Sequence, residues 1–153
     1  MKKLLIVYHS KGGKNHEMAN AVYKGATHPD IEGVEVRFLR AYDALDKDLL
    51  WADGIIFGTP ENFGYMSGAL KDFFDRTFYE VEGMVDAKSY CVFIGAGNDG
   101  QGALSSITRI CKGYKFKEIQ EPLIITGELS EGAKTLCEEL GMAMAAGLEA
   151  GIF

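Results

Sequence analysis

The stretch Leu4-Leu5-Ile6-Val7-Tyr8-His9-Ser10-Lys11-Gly12-Gly13-Lys14-Asn15-His16-Glu17-Met18-Ala19-Asn20 decides how the chain is read. A short apolar run gives way to a polar turn with two glycines, and then a helix opens. The order is that of a buried strand feeding a helix. The first N–H groups of a helix lack intrahelical partners and carry a partial positive charge, so that end of the helix suits an anion. Gly12 and Gly13 let the backbone approach the anion with no side chain between. The stretch therefore reads as a phosphate cradle.

Two common cradles are excluded. The Gly-Lys-Ser/Thr ending of a nucleoside-triphosphate P-loop is missing. So is the dinucleotide fingerprint G-x-G-x-x-G. The pattern is Ser-x-Gly-Gly-x-Asn, in which Ser10, Gly13 and Asn15 suit one terminal phosphate. Lys11 and Lys14 add positive charge to the loop, although each lysine taken alone is expected to be solvated. His9 and His16 flank the loop and are read as helix-start residues.

Outward from this stretch, short apolar runs alternate with helical patterns. Met18, Ala19, Val22 and Ala26 mark a first helix that stops before His28-Pro29. Val34 to Leu39 alternates with period two, as an edge strand does. A short helix around Lys47 to Trp51 leads to Gly54-Ile55-Ile56-Phe57-Gly58, continuously apolar and so a central strand. Ser67 is placed to cap the next helix, whose stripe is Met66, Ala69, Leu70, Phe73, Phe74 and Phe78. Tyr90 to Ile94 is a fourth strand, followed by a helix marked by Leu104, Ile107, Ile110 and Cys111. Phe116 to Thr126 reads as a fifth strand interrupted by Pro122, which cannot donate to a ladder and so belongs at an edge. A last helix starts near Ser130-Glu131, with Leu136, Cys137, Leu140, Met144 and Leu148 on its buried face and Gly141 and Gly147 weakening its regularity.

Strands alternating with helices predict an α/β three-layer sandwich: a five-stranded parallel sheet of order 2-1-3-4-5 with helices on both faces. With no linker or repeat, residues 1–153 are expected to form one domain. In such sheets a ligand lies beyond the carboxyl ends of the strands, where the order reverses. Three polar, glycine-bearing loops follow strands one, three and four and converge there.

Composition narrows the client. Sixteen basic against 22 acidic side chains leave a net charge of −6, which repels nucleic acid. The apolar run that ends at Tyr8 is too short for a secretory signal, and no window approaches a membrane span. Cys91, Cys111 and Cys137 are an odd, scattered set without a Cys-x-x-Cys pair, so reduced core thiols in a cytoplasmic protein are expected rather than disulfides or a metal site.

The second loop, Gly58-Thr59-Pro60-Glu61-Asn62-Phe63-Gly64-Tyr65-Met66-Ser67-Gly68, can edge a flat heterocycle, with backbone groups on its rim and Phe63 or Pro60 packed nearby. Taken alone, Phe63 also fits a turn folded into the core. The third loop, Gly95 to Gly102, offers backbone donors with few side chains to obstruct a ring.

These residues resemble the flavodoxin-like FMN proteins, and more closely the branch of NAD(P)H:quinone oxidoreductases and FMN reductases related to the tryptophan-repressor-binding protein. The likeness is carried by Tyr8 to Asn15 with Met18-Ala19, by Gly58 to Gly68 running on into Leu70, Phe73 and Asp75, and more loosely by Gly95 to Gln101. It implies that Ser10, Lys11, Gly12, Gly13, Lys14 and Asn15 hold the FMN phosphate. It implies that Thr59, Pro60, Glu61, Asn62, Phe63 and Gly64, with Gly95, Ala96, Gly97, Gly100 and Gln101, border the isoalloxazine ring. The expected activity is FMN-mediated, NAD(P)H-dependent reduction of a quinone, flavin or similar acceptor, with NAD(P)H as electron donor. The alternative is a flavodoxin-type carrier that passes single electrons to a redox partner protein. No side chain is assigned a catalytic role.

The chain departs from the resemblance in four places. Electron carriers usually have threonines where this chain has Gly12 and Asn15, and an aromatic in the third loop, where none stands here. The quinone-reductase branch often has a histidine after the fourth helix, where this chain has Lys112, Gly113 and Tyr114. The long insertion that supports tetramers in that branch is missing, which leaves a homodimer open.

Overall fold

Period-two alternation along the first strand sorts the molecule into two faces. In the computed structural model, which describes residues 1–153, β1 (Lys2–Tyr8) turns Leu4, Ile6 and Tyr8 to one side and Leu5 and Val7 to the other. Each helix joins one of these two cores, and the central strands feed both. The remaining elements are α1 (Lys14–Ala26), β2 (Val34–Arg40), α2 (Asp46–Trp51), β3 (Gly54–Pro60), α3 (Gly68–Val81), β4 (Ser89–Ala96), α4 (Gln101–Tyr114), β5 (Lys117–Glu118), β6 (Leu123–Thr126) and α5 (Glu131–Glu149).

The strands are parallel throughout and ordered β2-β1-β3-β4-β5, as the alternation predicts. The fifth position is filled by two pieces: β5 pairs with the start of β4 and β6 with its end. Pro122 immediately precedes β6, where the missing N–H costs the ladder least. At the other edge β2 is only half-buried.

Helices α1 and α5 cover one face with Met18, Val22, Cys137, Met144 and Leu148 against Leu4, Ile6, Ile56 and Phe93. Helices α2, α3 and α4 cover the other, where Phe57, Phe73, Phe74 and Ile107 pack with Val7, Ile55 and Val92. The expected cap at Ser67 forms, its Oγ accepting from the Leu70 N–H at 3.2 Å, and Ser130, at the expected start of the last helix, caps it by accepting from the Ala133 N–H at 3.1 Å. Leu136 departs from its expected place on the buried face of α5 and is exposed, because the inward stripe runs through Cys137, Leu140 and Met144.

The glycines of α5 do not weaken it. A Cβ on Gly141 would lie 2.0 Å from the Val22 carbonyl oxygen, and one on Gly25 would lie 1.9 Å from that of Glu138. The two helices cross with backbone against backbone, an approach only glycine permits. This crossing seats α1, and with it the polar loop at its start.

Candidate cofactor site

The carboxyl ends of β1, β3 and β4 lie side by side, and the three polar loops leave from them. In the first loop, Gly12 (φ 125°) and Gly13 (φ 65°) take backbone conformations that side chains disfavour. The Gly12 N–H donates to Ser10 Oγ at 2.9 Å. The N–H groups of Lys11, Gly13, Lys14, Asn15 and His16 find no acceptor in the chain. They are the free donors of a helix start, gathered on one glycine turn.

Asn15 is buried. Its Nδ2 donates to the Gly95 carbonyl at 3.3 Å, while its Oδ1 is buried without a partner. Gly95 makes room for it: a Cβ there would stand 2.8 Å from Oδ1. Lys14 departs from the solvated position expected of it. Its Nζ donates to the Ala96 carbonyl at 3.0 Å, tying the first loop to the end of β4, and partial burial lowers its pKa. Lys11 is exposed, as expected. His9 keeps a buried Nδ1 with no partner, and burial, followed by the Arg40 charge, lowers its pKa.

In the second loop Thr59 is fully buried, and its hydroxyl is spent inside the loop: it accepts from the Ser67 N–H at 2.9 Å and donates to the Pro60 carbonyl at 2.8 Å. Asn62 and Tyr65 pair through two backbone hydrogen bonds of 2.9 and 3.0 Å. Between them Phe63 (φ 53°) and Gly64 (φ 67°) are both left-handed, the signature of a tight type I′ turn. Phe63 is not folded into the core; it stands at the hairpin tip with its side chain fully exposed. A bulky residue in this conformation costs about 1 kcal/mol and persists only where the surroundings hold it.

Those surroundings are the start of α4. Gly100 caps this helix without a side-chain acceptor, and Glu61 supplies one from across the edge: Oε2 accepts from the Ala103 N–H at 3.1 Å. The Met66 N–H donates to Ser106 Oγ at 3.1 Å. Gly102 lies so close to the hairpin that a Cβ would be 2.0 Å from the Gly64 carbonyl oxygen. Glu61 is thus a cap for a distant helix. The sequence signal was the glycine at Gly100, where a capping side chain would normally stand. Glu61→Gln keeps the acceptor oxygen and should leave stability nearly unchanged, whereas Glu61→Ala should cost about 1 kcal/mol. Urea unfolding of both variants distinguishes this role from that of a solvent-facing carboxylate, for which both would be silent.

The third loop is short of side chains. Gly95 and Ala96 close β4, Gly97 has open space beside its Cα, and Gly100 is buried against Ile124. Asp99 Oδ1 accepts from the Gln101 N–H at 3.0 Å, and the Gln101 side chain lies along the outside of α4. Tyr114 belongs to the core, bonded to Thr77 Oγ1 at 2.8 Å and to the Phe74 carbonyl, while Tyr65 is on the rim. The larger surface clefts, 330–410 Å³, lie along α3, α4 and α5. The sheet edge is marked by its free donors, not by depth.

Residues 37–129 match the family model described as NADPH-dependent FMN reductase. The chain belongs to this family. Family membership covers the hairpin and the third loop, while Ser10 to Asn15 lie outside the matched segment and stand on their own geometry. A flavodoxin from Aquifex aeolicus is 33% identical over 95% of the chain and 86% of its own length. An NAD(P)H dehydrogenase (quinone) from Acidithiobacillus ferrooxidans is 30% identical over 71% of the chain; the chain spans 64% of that longer relative. Among solved structures, a WrbA-like flavodoxin from Agrobacterium tumefaciens shares the fold with a TM-score of 0.77 at 22% identity, covering 99% of both chains.

The edge fits FMN, the cofactor of this family. A terminal phosphate would satisfy the free N–H groups of the first loop. The orphaned Asn15 Oδ1 is an acceptor of the kind that a polyol chain, rich in hydroxyls, can satisfy.

Proposed function

We propose that residues 1–153 form one FMN-binding domain that takes reducing equivalents from NADH or NADPH and delivers them to a quinone, a flavin or a similar small acceptor. Ser10 to Asn15 hold the phosphate. Thr59 to Gly64, with Gly95, Ala96, Gly97, Gly100 and Gln101, border the ring through their backbone, and Thr59 acts by bracing the hairpin. When bound, FMN supplies the redox chemistry, accepting a hydride and giving up electrons. The chain's own task is to orient the ring and leave one side of it approachable, so no acid, base or nucleophile is required.

The observation that carries this reading is the third loop. From Gly95 to Gly100 nothing is larger than Asn98 or Asp99, and Gly97 is exposed, so this loop brings no aromatic to cover a ring and shut out a stacking nicotinamide. Mixing the FMN-loaded protein with NADPH without oxygen should bleach the flavin absorbance within seconds to minutes. Absorbance that persists for hours sinks the reductase reading.

The likeness to the Aquifex aeolicus protein along almost the whole chain favours a second reading, an electron carrier acting on a redox partner protein. Potentiometric titration separates the two: a carrier gives two widely spaced one-electron steps, a hydride-transfer enzyme closely spaced ones. The buried, unpaired thiols Cys91, Cys111 and Cys137 support a reducing compartment, the cytoplasm, and no helix is long and apolar enough to cross a membrane. A homodimer is proposed as the assembly.

A further inference from the structure

Two lysines of this chain are drawn out of water to backbone carbonyls, and they are used differently. Lys88 commits its whole ammonium group to structure. Its Nζ donates to the carbonyls of Leu49, Leu50 and Ala52 at 2.8, 3.0 and 2.6 Å, closing the C-terminal end of α2, and the Asp53 charge offsets part of its burial. Lys14 has three N–H groups and gives only one, to the Ala96 carbonyl at 3.0 Å. That carbonyl already accepts from the Gly127 N–H at 3.3 Å, so it is satisfied without the lysine. Lys14 forms no ion pair, and burial alone acts on its pKa, with no carboxylate to oppose it. A half-buried ammonium with two spare donors and no counter-charge is costly, and this one stands in a chain of net charge −6.

The backbone of Lys14 belongs to the phosphate turn, but its side chain leaves that turn and crosses to the last residue of β4. Asn15 makes the parallel reach to the Gly95 carbonyl. Ala96 opens the third loop, one of the segments proposed above to border the ring. Neither Thr59 to Gly64 nor Gly95 to Gln101 contains a cation, whereas Glu61 and Asp99 are acids. Lys11, the other lysine of the turn, is exposed.

We propose that the Lys14 ammonium stands against the pyrimidine edge of the isoalloxazine ring and stabilises the negative charge that reduction places there. The inference rests on the FMN-binding reading and adds to it the residue that sets the ring's potential. A hydride is a proton with an electron pair, so a neutral ring that accepts one gains a single negative charge, shared between N1 and the C2 carbonyl of that edge. The oxidised ring carries no such charge. A nearby cation therefore favours reduced over oxidised FMN.

The test titrates FMN into the cofactor-free protein twice, oxidised and, under dithionite without oxygen, reduced. The two-electron potential is measured beside it by dye equilibrium at fixed pH. Lys14→Met keeps an apolar stem and removes the charge. It should weaken reduced FMN about tenfold more than oxidised FMN, which lowers the two-electron potential by about 30 mV. Lys14→Arg keeps the charge and should hold the ratio near that of the wild type. Lys11→Met removes a charge from the phosphate turn alone and should weaken both forms alike. The proposal is overturned if Lys14→Met weakens both forms equally, which assigns the ammonium to the phosphate, or if it changes neither, which leaves it a structural tie. It is also overturned if Lys14→Arg shifts the ratio as far as Lys14→Met. Wild-type protein that binds FMN in neither form overturns the cofactor reading as well, whereas FMN binding with an unshifted ratio in Lys14→Met overturns this inference alone.

Discussion

Replacing Ser10 and Asn15 together with alanine should weaken FMN binding by about a hundredfold while the melting temperature of the cofactor-free protein hardly moves. A hydrogen bond to a charged group, as from Ser10 to the phosphate, contributes about 1.5–3 kcal/mol and one from a neutral hydroxyl to Asn15 about 0.5–1.5 kcal/mol; each tenfold in affinity is about 1.4 kcal/mol, so losing one of each gives roughly this factor. The fold should tolerate the change because neither side chain is a structural pillar. Ser10 Oγ accepts one bond, from the Gly12 N–H within the same loop, and Asn15 makes a single long bond to the Gly95 carbonyl. Alanine at position 15 also removes a buried oxygen that has no partner. Fluorescence quenching of FMN on titration with the variant reads the affinity, and circular dichroism reads the fold. An affinity within threefold of the wild type would show that the phosphate lies elsewhere.

Gly102→Ala is the second large effect, and it acts at a distance from the phosphate. Its Cβ would be 2.0 Å from the Gly64 carbonyl oxygen, a clash of a fixed Cβ with backbone that no rotamer can relieve. Either the hairpin lifts or the first turn of α4 shifts, at a cost of about 2 kcal/mol. Lifting the hairpin also disturbs the Glu61 contact to Ala103 and the Met66 contact to Ser106. FMN affinity should therefore fall along with stability. Gly113→Ala in the same helix has open space and should stabilise by a few tenths of a kcal/mol through helix propensity alone. Urea midpoints and FMN titrations of the two variants, run side by side, test this. Equal behaviour would mean that α4 does not hold the hairpin.

What was legible in the sequence is what local chemistry dictates. The strand–turn–helix of Leu4 to Asn20, the strand order, the edge position of Val34 to Leu39, the cap Ser67 and the helix start near Ser130 each depend on a few neighbouring residues. The rest depends on partners far along the chain. Lys14 is solvated on any local reading; only the packing of the start of α1 beside the end of β4 brings it to the Ala96 carbonyl. Glu61 makes sense only once α4 is seen to lack a capping side chain. Phe63 reads equally as core or surface until the paired hydrogen bonds of Asn62 and Tyr65 fix it at a turn tip. Gly141 reads as a helix breaker because propensity knows nothing of the neighbouring helix, whose Val22 carbonyl leaves no room for a methyl group.

That last contact couples regions that are remote in sequence. With Gly25 against the Glu138 carbonyl and Gly141 against that of Val22, α1 and α5 cannot separate by a small adjustment; they open as one cooperative unit. A ligand that binds only the closed form of the first loop therefore spreads its stabilisation through α1 into α5. An anion bound at Ser10 to Asn15, as proposed, should guard the amides of residues 131–149 against exchange, although it touches none of them.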